Sequence, residues 1–153
     1  MAAPSLIAGT LRYPYKQLPL PNGEFDWVAL LLVQIARGSL LTTTFEGLID
    51  SGSSECLFHG DIARAVGIDD ITTGTVSITG GVVGGAQMKL YGHEVRLIIG
   101  SDNFKIAAQF SDELPIGCLL GRRGFFDKYL VSFDPTESQP GFELTRVHKP
   151  KGK

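Results

Sequence analysis

The sequence contains little cysteine, since Cys56 and Cys118 are the only two among 153 residues. Two cysteines do not make the framework of bridges that stabilises small secreted domains. Free thiols suit a reducing compartment, so we predict a cytoplasmic protein. Cys56 and His59 have a spacing found in metal sites, but zinc needs two further ligands. The remaining candidates, Cys118, His93 and His148, are scattered, so we predict neither a metal nor another cofactor.

Long apolar runs and an excess of one charge are also absent. The longest apolar run, residues 27–33, is shorter than the roughly 20 residues that a membrane-spanning helix needs. The N-terminal residues lack the basic-then-apolar order of a secretory signal. With 14 basic and 16 acidic residues the formal charge is −2, which gives no reason to expect a polyanionic partner. We therefore predict no membrane and no nucleic-acid partner, and we interpret residues 148–153 as a basic, flexible tail.

What the sequence does contain is a series of short strand patterns. Residues 1–26 carry four prolines and predict an extended N-terminal arm. From residue 27 onward, β-branched and aromatic residues alternate with turn signals. The predicted strands are residues 28–35, 41–49, 76–79, 86–90, 94–99, 104–110, 130–133 and 142–147. This pattern predicts an all-β fold, a closed barrel of six to eight strands with one or two short helices.

Two segments favour short helices. Residues 61–66 would form the first, and Gly67 would end it, because glycine readily adopts the left-handed backbone found after helix C-termini. Residues 123–129 would form the second.

The most informative stretch is residues 48–54, in which two apolar residues are followed by Asp50, Ser51 and Gly52. Gly52 permits a sharp turn that would present the Asp50 carboxylate at the tip of a tight loop. A single carboxylate does little chemistry, whereas two that face each other share a proton and act as acid and base. The same tripeptide is also typical of an Asx turn at the end of a strand.

Two further motifs follow Asp50 in the sequence. Residues 79–86 are rich in glycine and predict a hairpin tip. Leu119, Leu120, Gly121 and Arg122 form an apolar pair that ends in glycine and arginine. This order of motifs resembles that of the retropepsin-like aspartic proteases over about residues 27–147.

The resemblance implies an acid-protease-type barrel over residues 27–147 and an aspartic endopeptidase that acts on polypeptides. Only Asp50 is followed by a hydroxyl residue and glycine, so the second catalytic carboxylate would come from a second copy in a homodimer. Asp50 would be catalytic, and Ser51, Gly52 and Arg122 would support its loop. A flap over the site would carry Gly80, Gly81, Val82, Val83, Gly84 and Gly85.

Two positions, Ser51 and Ser54, depart from the family pattern, in which threonine is commoner at the position of Ser51. The family arginine that Arg122 matches binds an acid shortly after the catalytic loop, but Ser54 occupies that position here and Glu55 follows it. The resemblance therefore implies that the ion pair of Arg122 is either moved to Glu55 or absent.

The sequence leaves one alternative function and disfavours two others. A catalytically silent barrel of the same fold that binds peptides or mediates dimerisation is the alternative to the enzyme. A phosphate-binding glycine loop is disfavoured, because the glycine spacing differs and a strand rather than a helix follows. A serine hydrolase that uses Ser53 is also disfavoured, because no Gly-x-Ser-x-Gly motif surrounds it.

Overall fold

The computed structural model of the chain describes residues 6–7, 9–80, 87–136, 138 and 140–147. These residues contain one α-helix, α1 (Gly60–Ala65), and one 3₁₀-helix (Ile71–Thr73). Their strands are β1 (Leu6–Ile7), β2 (Thr10–Pro14), β3 (Lys16–Pro19), β4 (Phe25–Val28), β5 (Leu30–Arg37), β6 (Leu40–Leu41), β7 (Phe45–Ile49), β8 (Leu57–His59), β9 (Thr75–Gly80), β10 (Gln87–Ile99), β11 (Asp102–Ser111), β12 (Cys118–Leu120), β13 (Tyr129–Asp134) and β14 (Gly141–Arg146). No helix in this part of the chain is long and apolar enough to span a membrane.

The largest sheet closes on itself. Its strand order is β6-β5-β7-β12-β8-β11-β10-β9, and β5 also pairs with β10. Six strands from β5 to β10 therefore form a closed barrel, with β6 and β9 outside it. The prediction of an all-β closed barrel is confirmed.

Alternating side chains explain why this sheet encloses a core. Successive residues of a strand point to opposite faces, and β11 follows this rule with buried Phe104, Ile106 and Ala108 between exposed neighbours. On β5, Val33 is buried, whereas Leu32 is 50% exposed. The buried aromatic core includes Phe58, Phe110, Phe125 and Phe142.

A second sheet joins the two ends of the chain. Its order is β1-β2-β14-β13, so β2, within the predicted N-terminal arm, is an inner strand paired with β14. The Arg12 guanidinium lies 3.2 Å from a carboxylate oxygen of Asp134 and 3.2 Å from one of Glu143. Strands β3 and β4 form a separate two-stranded hairpin.

The hairpin predicted from residues 94–99 and 104–110 is present as the pair β10–β11. The boundary predicted between 86–90 and 94–99 is wrong, because β10 runs without interruption from Gln87 to Ile99. Gly92, which lies between the two predicted strands, is inside β10. A Cβ there would approach the Gln109 side chain to 3.1 Å, so glycine at this position relieves crowding between neighbouring strands.

The first predicted helix is confirmed within one residue. Helix α1 ends at Ala65, and Gly67 has a φ of +82° in the left-handed region. At its start, the His59 imidazole accepts a hydrogen bond from the backbone N–H of Asp61 at 3.1 Å.

The second predicted helix, residues 123–129, is wrong. Residues 124–128 are turns, and Gly124 has a φ of +105° that an α-helix cannot contain. The Gly124 N–H donates to the Asp127 carboxylate at 3.1 Å instead of to a helical carbonyl. Phe125 in the same segment is fully buried, so packing of its ring fixes the turn against the core.

Candidate active site

Two parallel strands place Asp50 at one end of the barrel. Strands β7 and β12 pair in parallel, with Ile49 opposite Leu120. Immediately beyond this pair, the Asp50 N–H donates to the Leu120 carbonyl at 3.0 Å. This hydrogen bond fixes the position at which the aspartate leaves the sheet. The Asp50 side chain is half-buried.

The loop after β7 folds back on the Asp50 carboxylate. The Gly52 N–H donates to Oδ1 of Asp50 at 2.9 Å, and the Ser53 N–H donates to the Asp50 carbonyl at 3.2 Å. This is the geometry of an Asx turn. A Cβ on Gly52 would lie 3.0 Å from Oδ1, so glycine is favoured by the close contact with the carboxylate. Among the described residues, Oδ2 of Asp50 has no hydrogen-bond partner.

A second segment, residues 121–123, supports this loop through the backbone. The Arg122 N–H donates to the Ser53 carbonyl at 2.9 Å, and the Arg123 N–H donates to the Ser54 carbonyl at 3.0 Å. A Cβ on Gly121 would lie 2.1 Å from the Glu55 carbonyl oxygen, far inside van der Waals contact. Glycine at 121 is therefore required for the two segments to approach, a role that the sequence motif did not reveal.

Arg122 contacts the loop directly. Its Nη1 donates to the Ser51 carbonyl at 2.8 Å, so the guanidinium supports backbone rather than a carboxylate. Glu55 pairs with the next residue instead, because Nε of Arg123 donates to its Oε1 at 2.7 Å. The Glu55 carboxylate raises the pKa of Arg123. Glu55 therefore forms an ion pair with Arg123 and not with Arg122. The ion pair of Arg122 is not moved to Glu55.

An apolar surface adjoins Asp50. Leu119 lies opposite Leu48 on one side and Leu57 on the other, so the three side chains share one face of the sheet. Leu57 packs in a small cluster with Leu90 and Met88 of β10. The predicted strands include Leu48 and Leu90 but neither Leu57 nor Leu119, and the sequence did not connect any of these leucines with the site, because their proximity depends on strand order.

The β9–β10 hairpin extends from this apolar cluster. Its described arms pair from Thr75 with Gly92 to Gly80 with Gln87. Ile78 on β9 is 62% exposed. Of the predicted flap residues, Gly80 ends β9, whereas Gly81, Val82, Val83, Gly84 and Gly85 lie outside the described residues.

Two other groups with reactive side chains are held in structural roles. Burial raises the pKa of Cys56 to about 12 and raises the pKa of Cys118 as well, so both thiols remain protonated.

His59, Asp61 and Asp112 place possible metal-ligand atoms within 4.8 Å of one another. These carboxylates bind Arg64 instead, at 3.0 Å from Asp61 and 2.7 Å from Asp112. The hydrogen bond from Arg64 lowers the pKa of Asp112.

Comparisons with known proteins identify the fold. No protein-family model and no curated protein sequence matches the chain. A retropepsin-like aspartic protease from Rickettsia conorii superposes with a TM-score of 0.54 at 16% identity, over 94% of this chain and 96% of that one. The retroviral protease-like domain of Ddi1 from Leishmania major superposes with a TM-score of 0.49 at 12% identity, over 81% and 98% of the two chains. The closed barrel, the Asp50 loop and the superposition on the Rickettsia enzyme together show that this chain has the fold of the retropepsin-like aspartic proteases.

Proposed function

We propose that this protein is an aspartic endopeptidase that works as a homodimer, with one Asp50 from each copy. The observation that carries this proposal is the geometry of the Asp50 carboxylate. One oxygen is fixed by the Gly52 N–H at 2.9 Å, while the other has no partner among the described residues. A carboxylate held in this way on a rigid loop is suited to meet a second one across a two-fold axis.

Two facing carboxylates divide the work of hydrolysis between them. Close like charges make their titrations interdependent, so the pair holds one proton over a range of pH. The ionised Asp50 would accept a proton from water as the water attacks the peptide carbonyl. The protonated Asp50 of the second copy would polarise that carbonyl and then protonate the leaving nitrogen.

The apolar surface beside Asp50 fits a polypeptide substrate. Leu48 and Leu119 lie side by side next to the carboxylate and are partly exposed, and an extended peptide would place its side chains against them. The β9–β10 hairpin would act as the flap, with Gly80 to Gly85 at its tip, and would exclude water on closing.

The pH dependence of cleavage should be bell-shaped. The pair needs one shared proton, so activity falls when the pair loses that proton at higher pH and when a second proton binds at lower pH. By analogy with other carboxylate dyads, we expect an optimum at about pH 4–6.

The decisive experiment compares the wild type with Asp50→Asn on an unfolded protein substrate between acid and neutral pH. We expect the substitution to abolish cleavage, with unchanged circular dichroism and an unchanged dimer mass in analytical ultracentrifugation. Cleavage by Asp50→Asn near the wild-type rate, or a wild type that remains monomeric at micromolar concentration while cleaving substrate, would contradict the proposed mechanism.

One observation favours the second candidate, a silent peptide-binding or dimerisation module. The Asp50–Gly52 hydrogen bond forms a complete Asx turn within one chain, so it has a structural use without catalysis. A wild type that dimerises and binds peptides but cleaves none at any pH would support this candidate.

A further inference from the structure

A cavity of about 330 Å³ lies where the barrel closes between β5 and β10. Three cationic side chains, Arg37, Arg96 and Lys105, line it together with one carboxylate, Glu94. Its volume falls at the lower end of the range for small-molecule sites. Positive charge therefore dominates a concave surface of ligand size.

The strand register makes two of these cations neighbours. Arg96 on β10 lies directly opposite Lys105 on β11 and Ala36 on β5. Residues directly opposite each other share a face, with Cβ atoms about 5 Å apart, and like charges in this arrangement reduce stability. The small side chain of Ala36 leaves space beside the two cations. A bound anion would remove the electrostatic cost.

Arg37 and Arg96 also lack the partners that most arginines of this chain have. Arg96 donates to the Gly38 carbonyl at 3.1 Å, and Arg37 donates to the Gly67 carbonyl at 3.4 Å. Among the described residues, neither lies within 4.0 Å of a carboxylate oxygen. Ion pairs with carboxylates are formed instead by Arg12, Arg64, Arg123 and Arg146.

The one carboxylate that lines the cavity, that of Glu94, already forms an ion pair. Glu94 pairs with Lys105 at 3.2 Å, which leaves the guanidinium groups of Arg37 and Arg96 without a counter-charge in the part of the chain that the structure describes. Guanidinium groups bind phosphate with two parallel N–H donors and remain charged at any physiological pH. This donor set suits a phosphoryl group.

We propose that the cavity binds a small phosphoryl-bearing ligand, either inorganic phosphate or a phosphomonoester, through Arg37 and Arg96. Lys105 lies close enough in the register to add a third cation. The site is separate from Asp50, because Leu30 lies opposite Leu48 and Ala36 is six residues further along β5, about 20 Å at the usual rise. Binding here is independent of the proposed peptidase chemistry.

The test is calorimetric titration of the full chain with inorganic phosphate and, separately, with glycerol phosphate, at constant ionic strength set by chloride. We expect saturable binding with a dissociation constant of about 1 mM or tighter. Arg37→Gln and Arg96→Gln should each weaken binding about tenfold, since each removes charge-assisted hydrogen bonds. Lys89→Gln, which removes one exposed positive charge elsewhere on β10, is the matched control and should bind as the wild type does.

Backbone amide chemical shifts provide a second measurement. Phosphate should perturb residues 36–38 and 94–96 in the wild type and leave them unchanged in the Arg37→Gln, Arg96→Gln double variant. Binding of either ligand supports the site, and the tighter one identifies the ligand class. Absence of saturable binding in the wild type, or equal binding by the double variant, would overturn the proposal.

Discussion

Strands β5 and β7 run antiparallel, so the Asp50 loop after β7 and the turn at residues 38–39 after β5 lie at opposite ends of one strand pair. At the first end, the backbone N–H of Gly52 holds a carboxylate. At the second, backbone carbonyls hold two guanidinium groups. The difference lies in how each charge is fixed. The aspartate side chain is short and is fixed by an N–H group of its own loop. The arginine side chains are long, and a ligand can compete with the backbone carbonyls for their N–H donors.

The largest effect that separates the two ends is expected from Asp50→Asn. This variant should lose cleavage by at least about a thousandfold, because general acid–base catalysis by a positioned group contributes roughly 10²–10⁴. Phosphate binding, measured on the same sample by calorimetry, should equal that of the wild type. Loss of both activities together would show that the two ends are coupled.

The second prediction concerns the packing that holds the Asp50 loop. Gly121→Ala places a Cβ 2.1 Å from the Glu55 carbonyl oxygen, and the backbone must separate to admit it. We expect a loss of about 3 kcal/mol in the free energy of unfolding, measured by urea denaturation. Gly117→Ala is the matched control, because a Cβ there meets nothing within 4 Å. Equal stability of the two variants would contradict the account of the loop.

A smaller effect should follow from Arg122→Gln. The variant loses the charged hydrogen bond to the Ser51 carbonyl, so the loop is positioned less firmly while the core is untouched. We expect kcat/KM to fall about tenfold with unchanged thermal stability. Arg123→Gln is the comparison, since that exposed residue holds Glu55 and not Ser51. A larger loss of activity in Arg123→Gln than in Arg122→Gln would show that Arg123, and not Arg122, supports the loop.

The smallest effect tests the contrast between paired and unpaired arginines. Hydrogen bonding from Arg64 lowers the pKa of Asp112 in the folded protein below its unfolded value. The resulting stabilisation is present above the unfolded pKa and is lost as the pH falls through the folded pKa. Asp112→Asn should therefore be slightly less stable than the wild type at pH 7, and the difference should shrink below about pH 4. Urea denaturation at several pH values measures it, and a difference that grows in acid would reverse the predicted sign.

Much of the fold was predictable from local patterns. Segments of β-branched and aromatic residues between turn signals predicted strands that the structure contains, β5 and β11 among them. Gly67 predicted the end of α1 because its left-handed backbone is a local property. Two of the errors concern single segments of the sequence. Residues 86–90 and 94–99 were predicted as separate strands although β10 continues through Gly92, and residues 123–129 were predicted as a helix although Gly124 and buried Phe125 impose a turn.

The sequence by itself determined the alternating strands and the tight turn at Asp50, because both follow from side-chain periodicity and from the small number of residues that fit a turn. Tertiary structure decided what lies against that turn. Gly121 meets the Glu55 carbonyl, Arg122 meets Ser51, and Arg96 lies opposite Ala36 only because the barrel brings distant strands into one register. Contacts of this kind depend on strand order and closure, and a linear sequence carries no local signal for either.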